Sequence, residues 1–334
     1  MTLRLIEMVV PVQDGEVILA LLKDHKVLEH RQIRLSDGDV LVRILLDAVQ
    51  SEAVLDLLGA RYAGIAGNRV VILAVEATLP RDEPEPVKAS EQAKPEEKLH
   101  ERISREELYE DIKDAARCTR VYLAMVVLST IVAAVGLYYS SVAIIVGAMV
   151  IAPLLGPNVA LSLGTTLGDL SLLHRAISTM LVGIATTMVL SVIIGVVLQV
   201  DPASPELVSR NGVGLGDIVV ALASGCAGAL AFTTGVSTTL IGVMVAVALL
   251  PPLVAFGLFL GGGHPALAMG ALSLFLVNLI SVNLAGVTTF LLQGIHPANL
   301  WEKDQAKKAT HIALKLWVTL LAALIGLILL FQKS

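Results

Sequence analysis

Charge is scarce in this chain. Of its 334 residues, 16% are Asp, Glu, Lys or Arg, against roughly 25% in an ordinary soluble domain. The stretch 121–292 holds only Arg175, Arg210, Asp169, Asp201, Glu206 and Asp217. Such a stretch cannot clothe a water-soluble surface, and with no basic face the chain is no nucleic-acid binder. Aromatic residues make up 4%, and there are two cysteines, Cys118 and Cys226, so neither a disulfide framework nor a metal site is expected. His-Glu-x-x-His, a Walker loop and paired intramembrane aspartates are missing, which points away from an enzyme and from a cofactor. No ionisable side chain falls at mid-span, which argues against a proton pump or an acid-based antiporter. Backbone carbonyls remain able to coordinate a cation. The opening Met-Thr-Leu-Arg-Leu-Ile-Glu lacks the parts of a secretory leader, so the N-terminus is expected in the cytoplasm.

What is present divides in two. Residues 1–116 carry 38 of the 53 charged side chains, while the whole chain is 55% hydrophobic with a mean hydropathy of +0.79. A soluble front end joined to a membrane domain follows. In residues 1–79 the runs 3–10, 31–36, 39–47 and 69–78 read as strands, the middle two flanking the turn pair Asp37-Gly38. Helical spacing follows Asp14 and Ser51, each a candidate N-cap. The order βαββαβ is that of a ferredoxin-like domain. Its role is read as packing and oligomerisation, or as ligand sensing; His25 and His30 are read as solvated. Residues 80–103 are Pro-, Glu- and Lys-rich and read as a flexible linker. Ser104-Arg105-Glu106-Glu107 matches a capping box opening a juxtamembrane helix over 104–119.

The transmembrane domain, 120–334, contains seven apolar runs near the ~20 residues a crossing needs: 121–139, 142–163, 176–199, 217–234, 238–260, 266–292 and 311–331. The Lys and Arg at their ends favour a cytoplasmic N-terminus and an extracytoplasmic C-terminus in the plasma membrane. At an offset of 95 residues, Gly147-Ala148-Met149-Val150 falls on Gly242-Val243-Met244-Val245, and Leu154, Leu155 and Pro157 fall on Leu249, Leu250 and Pro252. Three spans per copy is an odd number, so repeat 1 (120–199) and repeat 2 (217–292) must enter the bilayer from opposite sides. The last span stands outside this three-plus-three inverted repeat.

Polar chemistry concentrates in two places. The second span carries Pro153, Gly156, Pro157 and Asn158, the fifth Leu250, Pro251 and Pro252. Proline removes a donor and crowds the preceding turn, so both helices are expected to kink or break, with Pro157 and Pro252 suited to open restarted half-helices. Free N–H groups at two such ends would hold an anion or a neutral polar solute. Ordinary proline kinks are the alternative. Asn278 and Asn283 on the sixth span complete the candidate site or act as interhelical hydrogen-bonding glue. Ala221, Gly225 and Ala229 form a small-residue stripe suited to close helix packing.

The runs Val146-Gly147-Ala148-Met149-Val150-Ile151-Ala152-Pro153-Leu154-Leu155-Gly156-Pro157, Ala160-Leu161-Ser162-Leu163-Gly164 and Gly242-Val243-Met244-Val245-Ala246-Val247-Ala248-Leu249-Leu250-Pro251-Pro252-Leu253 resemble the signature of the domain of unknown function 389 family. Asn278, Asn283-Leu284-Ala285-Gly286, and Pro297 near Trp301 extend the resemblance over roughly 120–305. It implies a prokaryotic-type integral membrane protein and supplies no substrate. The expected function is movement of a small anionic or neutral solute or ion by a homo-oligomeric transporter or channel-like protein in the lipid bilayer. The alternative is a scaffold or sensor whose front domain binds a ligand or partner.

Overall fold

In a computed structural model, the described residues are 3–23, 25–36, 38–62, 69–75, 103–198, 200–210, 212–234, 238–295, 315, 317–319, 322 and 326. The chain forms two compact units, Met1–Leu108 and Tyr109–Ser334.

The first unit contains β1 (Leu3–Pro11), α1 (Val12–Leu22), β2 (Val27–Arg34), β3 (Asp39–Asp47), α2 (Ala48–Tyr62) and β4 (Val70–Val75). All strand pairs are antiparallel, in the order β2-β3-β1-β4, with Ile6 of β1 between Ile44 and Ile72. Alternation puts Ile6, Met8, Val10, Val40, Val42, Ile44 and Leu46 on one face, where Ile18 and Leu22 of α1 and Val54, Leu58 and Tyr62 of α2 complete the core. Two sequence expectations shift here. Strand β2 starts at Val27, not Arg31. Helix α2 starts at Ala48, because Asp47 Oδ1 accepts from the Val49 N–H at 3.1 Å, while Ser51 is buried within the first turn and donates to the Ala48 carbonyl. Asp14 likewise falls inside the first turn of α1. Gly38 takes the turn at φ +93°, a conformation open to glycine; Asp37 lies outside the described residues, as does most of the linker.

The capping box forms by half. Ser104 Oγ accepts from the Glu107 N–H at 3.3 Å, opening α3 (Arg105–Ala115). The Glu107 carboxylate does not turn back to the cap; it takes both guanidinium arms of Arg4 at 2.9 Å. A two-pronged charged pair outcompetes a single neutral N–H for a carboxylate.

The second unit holds the rest of α3 and then α4 (Arg120–Tyr138), α5 (Val142–Ile151), α6 (Leu155–Leu167), α7 (Leu170–Leu198), the short α8 (Pro205–Val208), α9 (Leu215–Thr234), α10 (Thr238–Gly261) and α11 (Pro265–Leu292). Among the described residues α4, α7, α9, α10 and α11 are each long and apolar enough to cross a membrane, and α5 with α6 makes a bent pair that counts as a sixth. The seventh predicted run, 311–331, falls almost wholly outside the described residues. Helix α10 is the central one: 78% of its apolar window is buried, against 22% for α7. It packs on α4, α5, α7, α9 and α11, while α11 also packs on α6 and α9.

Close approach between these helices depends on glycine. A Cβ on Gly257 of α10 would overlap Ser191 Oγ of α7, and one on Gly286 of α11 would stand 2.6 Å from Ser162 Oγ of α6. A Cβ on Gly225 of α9 would overlap the Val282 carbonyl of α11, so the Ala221–Gly225–Ala229 stripe does lie at a packed interface. Where α4 meets α7 a Cβ on Gly183 would overlap the Tyr122 hydroxyl, and a hydrogen bond adds to the contact, Thr130 Oγ1 to Thr187 Oγ1 at 3.2 Å.

The turn from α6 to α7 is fixed by Gly168 at φ +69° and by Asp169, whose Oδ1 accepts from the N–H groups of Ser171 and Leu172 at 2.8 and 3.1 Å. Tyr109 donates to Asp169 Oδ2 at 2.6 Å. Burial pushes the Asp169 carboxyl up, but the bonds from Tyr109, Leu172 and Ser171 outweigh it and hold the group below its ordinary 3.8. Burial, then the bond to Asp169, pushes the Tyr109 phenol above its ordinary 10.0. The sign follows from linkage. The Asp169 contribution is present above pH 3.8 and lost as pH falls through its lowered value; the Tyr109 contribution is present below pH 10.0 and lost as pH rises through its raised value. Tyr109→Phe is expected to cost about 1 kcal/mol after allowing for solvent exposure. Thermal unfolding checks this: the deficit is largest at pH 7 and shrinks as Asp169 is protonated.

Candidate functional site

The break predicted in the second span is real. Pro153 disfavours helical backbone at the residue before it, and Ala152 is extended at φ −72°, ψ 121°. Helix α6 restarts at Leu155, bent 55° from α5. Pro157 is its third residue, not its first. The physics is unchanged, since a first-turn residue needs no N–H. Pro153 and Gly156 are half-buried, Pro157 and Asn158 buried.

Asn158 anchors the local network. Its Nδ2 donates to the Leu154 carbonyl at 2.7 Å, and its Oδ1 accepts from Asn283 Nδ2 of α11 at 3.0 Å. Asn283 Nδ2 also donates to Leu279 O at 2.9 Å. Ser162, one turn after Asn158, has the Asn158 carbonyl at 3.1 Å and both Asn283 oxygens at 3.3 Å. Asn158, Ser162, Gly225, Gly228, Gly286 and Phe290 line part of a void of about 10 Å³, the space of about one water molecule. Thr165 and Thr166 return their hydroxyls to their own helix, at Leu161 O and Ser162 O.

In the first turn of α6 the Ala115 carbonyl at the end of α3 lies so close to Gly156 that any Cβ there would overlap it. An electron-rich oxygen at a helix start is the arrangement the helix dipole favours.

The break expected in the fifth span is absent. Helix α10 runs through Pro251 and Pro252 without interruption from Thr238 to Gly261. Two residue differences explain this. Ala248 occupies the position 95 residues after Pro153, so Val247 is not pushed out of helical backbone as Ala152 is. The bias that Pro251 and Pro252 place on Leu250 and Pro251 is overridden within the intact helix. Pro252 then deprives the Ala248 carbonyl of its i+4 donor, and Asn278 Nδ2 replaces that donor at 2.8 Å. Pro252 therefore opens no half-helix.

The nine predicted site residues form two groups. Pro153, Gly156, Pro157, Asn158 and Asn283 come together at the α5–α6 break; Leu250, Pro251, Pro252 and Asn278 gather on α10 and α11. No hydrogen bond among the described residues joins the groups, and Asn278 and Asn283, five residues apart on α11, face different ways. Sequence reasoning missed Ser162 and Ala115. The spacing Asn158-x-x-x-Ser162, one helical turn, was the signal for Ser162; nothing local announces a backbone carbonyl. His, Cys, Asp and Glu do not gather in threes among the described residues, and Cys118 and Cys226 are free thiols.

The family model for the domain of unknown function DUF389 matches residues 149–284. The chain is 40% identical over 288 residues to the uncharacterized protein MJ0678 of Methanocaldococcus jannaschii, covering 86% of this chain and 87% of that protein. The chain belongs to the DUF389 family. The DUF389 match runs from Met149 in α5 to Leu284 in α11 and takes in both groups of site residues. No solved structure matches the chain.

Proposed function

We propose that this DUF389 protein is a non-enzymatic transporter or channel-like protein that moves a small anionic or neutral solute across the plasma membrane at the α5–α6 break. The observation that carries the reading is a membrane-type helix broken at Pro153, with two buried, mutually hydrogen-bonded amides, Asn158 and Asn283, beside the restart. The N–H groups of α6 attract partial negative charge, and the Ala115 carbonyl packs against Gly156 in that first turn.

A three-plus-three inverted repeat supports the same reading. Exchanging α4 with α9, α5–α6 with α10 and α7 with α11 carries the helix contacts onto one another. The offset of 95 extends to side chains. Ser162 and Gly286 map onto Gly257 and Ser191, the same contact with serine and glycine exchanged. Thr130 and Thr187 map onto Gly225 and Val282, again a contact in both halves. The proposal includes seven spans, a cytoplasmic N-terminus, an extracytoplasmic C-terminus and assembly into a homo-oligomer. It also assigns the front unit a ferredoxin-like fold, supported by its βαββαβ order and the sheet order β2-β3-β1-β4, with a regulatory or assembly role.

Liposomes loaded with a panel of small anions and neutral polyols test the function. Wild type is expected to release at least one of them, and Asn158→Leu to slow that release by about tenfold, a loss equivalent to about 1.4 kcal/mol, while its thermal unfolding stays cooperative. Equal release from wild type and Asn158→Leu would remove the site. One observation favours the second reading, a scaffold or sensor: the void beside Asn158 has room for only about one water. Wild-type release no faster than from empty liposomes would select it.

A further inference from the structure

We propose that α10 and α11 form a binding site for a small monovalent metal cation, between the carbonyls freed by Pro251 and Pro252, Asn278 Oδ1 and Ser281 Oγ. Neither proline has an N–H, so the Val247 and Ala248 carbonyls lose their i+4 donors. Asn278 Nδ2 meets the Ala248 oxygen at 2.8 Å, which fixes the carboxamide and assigns its nitrogen. Its oxygen is left over: Asn278 Oδ1 is buried and has no hydrogen-bond partner among the described residues.

Ser281 stands one turn farther along the same face of α11. It is 0% exposed, and its hydroxyl is also unpartnered among the described residues. Other buried hydroxyls nearby behave differently. Thr289 donates to Ala285 O, Ser191 to Thr187 O and Thr165 to Leu161 O, each four residues back. Ser281 forgoes that ordinary bond.

The leftover groups are chiefly oxygens with free lone pairs, and the amide donor is already engaged. An anion has little to hold there. A cation can take lone pairs from several neutral oxygens at once, as backbone carbonyls do in channel filters. The site adjoins the group at the α5–α6 break, since Ser281 and Asn283 are two residues apart on α11, and it differs from that group in offering oxygens where the α6 start offers N–H groups. A coupling role for the ion rests on the transport reading; its binding does not.

The test is thermal unfolding of the purified full chain, titrated with NaCl or KCl from ~1 to ~300 mM at constant ionic strength held by choline chloride. Wild type is expected to show a saturable rise with one of the two ions. Ser281→Ala is expected to unfold at the wild-type temperature in choline, since the hydroxyl makes no hydrogen bond among the described residues, and to need about tenfold more ion for the same rise. No saturable rise in wild type, or an unchanged ion requirement in Ser281→Ala, would overturn the site and leave a bound water as the occupant. Release from liposomes separates the two proposals. An Asn158-dependent release without an ion effect retains transport and removes the cation site, and an ion effect without any release does the reverse.

Discussion

Gly257→Ser is expected to be among the most damaging single substitutions in the membrane unit, and Ser191→Gly is expected to rescue it. Any Cβ at 257 overlaps Ser191 Oγ and stands 2.6 Å from Ser191 Cβ, so α7 and α10 must move apart along a contact that reaches Gly195 and Gly261 as well. Overpacking of this kind costs about 3 kcal/mol, and a domain of this size loses roughly 2–4 °C per kcal/mol. A fall of roughly 6–12 °C in the unfolding midpoint follows from those two figures. Ser191→Gly alone costs about 1 kcal/mol, the ordinary difference for glycine inside a helix. The double variant places serine on the α10 side and glycine on the α7 side, the arrangement that Ser162 and Gly286 already have between α6 and α11. It should recover most of the loss. If the two effects simply add, the contacts are not equivalent and the 95-residue register fails.

Asn278→Leu is expected to cost about 2 kcal/mol in the wild-type chain, because it strips the Ala248 carbonyl of its replacement donor and leaves a buried acceptor unpaired. In a Pro252→Ala background the cost should fall below about 1 kcal/mol, since residue 252 regains an N–H for that carbonyl. The double-mutant cycle isolates the coupling. Calorimetric unfolding of the four proteins measures it. Equal costs in both backgrounds would mean that Asn278 does not stand in for the missing donor.

Much of the fold is legible in the sequence because the signals are long and periodic. Charge depletion over 121–292 announces the membrane helices, and alternation with Asp37-Gly38 announces the β2–β3 hairpin. Boundaries were less legible: Asp47, at the end of a strand, caps α2 in place of Ser51, a choice set by hydrogen-bond geometry and not by residue type. Proline proved readable only in context. The pair Pro153 and Pro157 straddles a break, whereas the adjacent Pro251 and Pro252 sit inside an intact helix, because the outcome turns on a distant asparagine that supplies a donor. The candidate site was legible as to residue types, since Asn158 and Asn283 do meet. Its division into two groups was not, since that depends on the azimuths of Asn278 and Asn283 around α11.

An upside-down relation between the two membrane halves places their equivalent helix starts on opposite sides of the bilayer, and thiol labelling reads those sides. Cys118 precedes α4 and is exposed; Val213, 95 residues later, precedes α9. With Cys226→Ala to remove the other native thiol, a membrane-impermeant maleimide is applied to intact cells carrying either native Cys118 or the combination Cys118→Ala with Val213→Cys. Labelling is expected at position 213 in intact cells and at position 118 only after lysis. Labelling of both positions from the same side would contradict the upside-down relation.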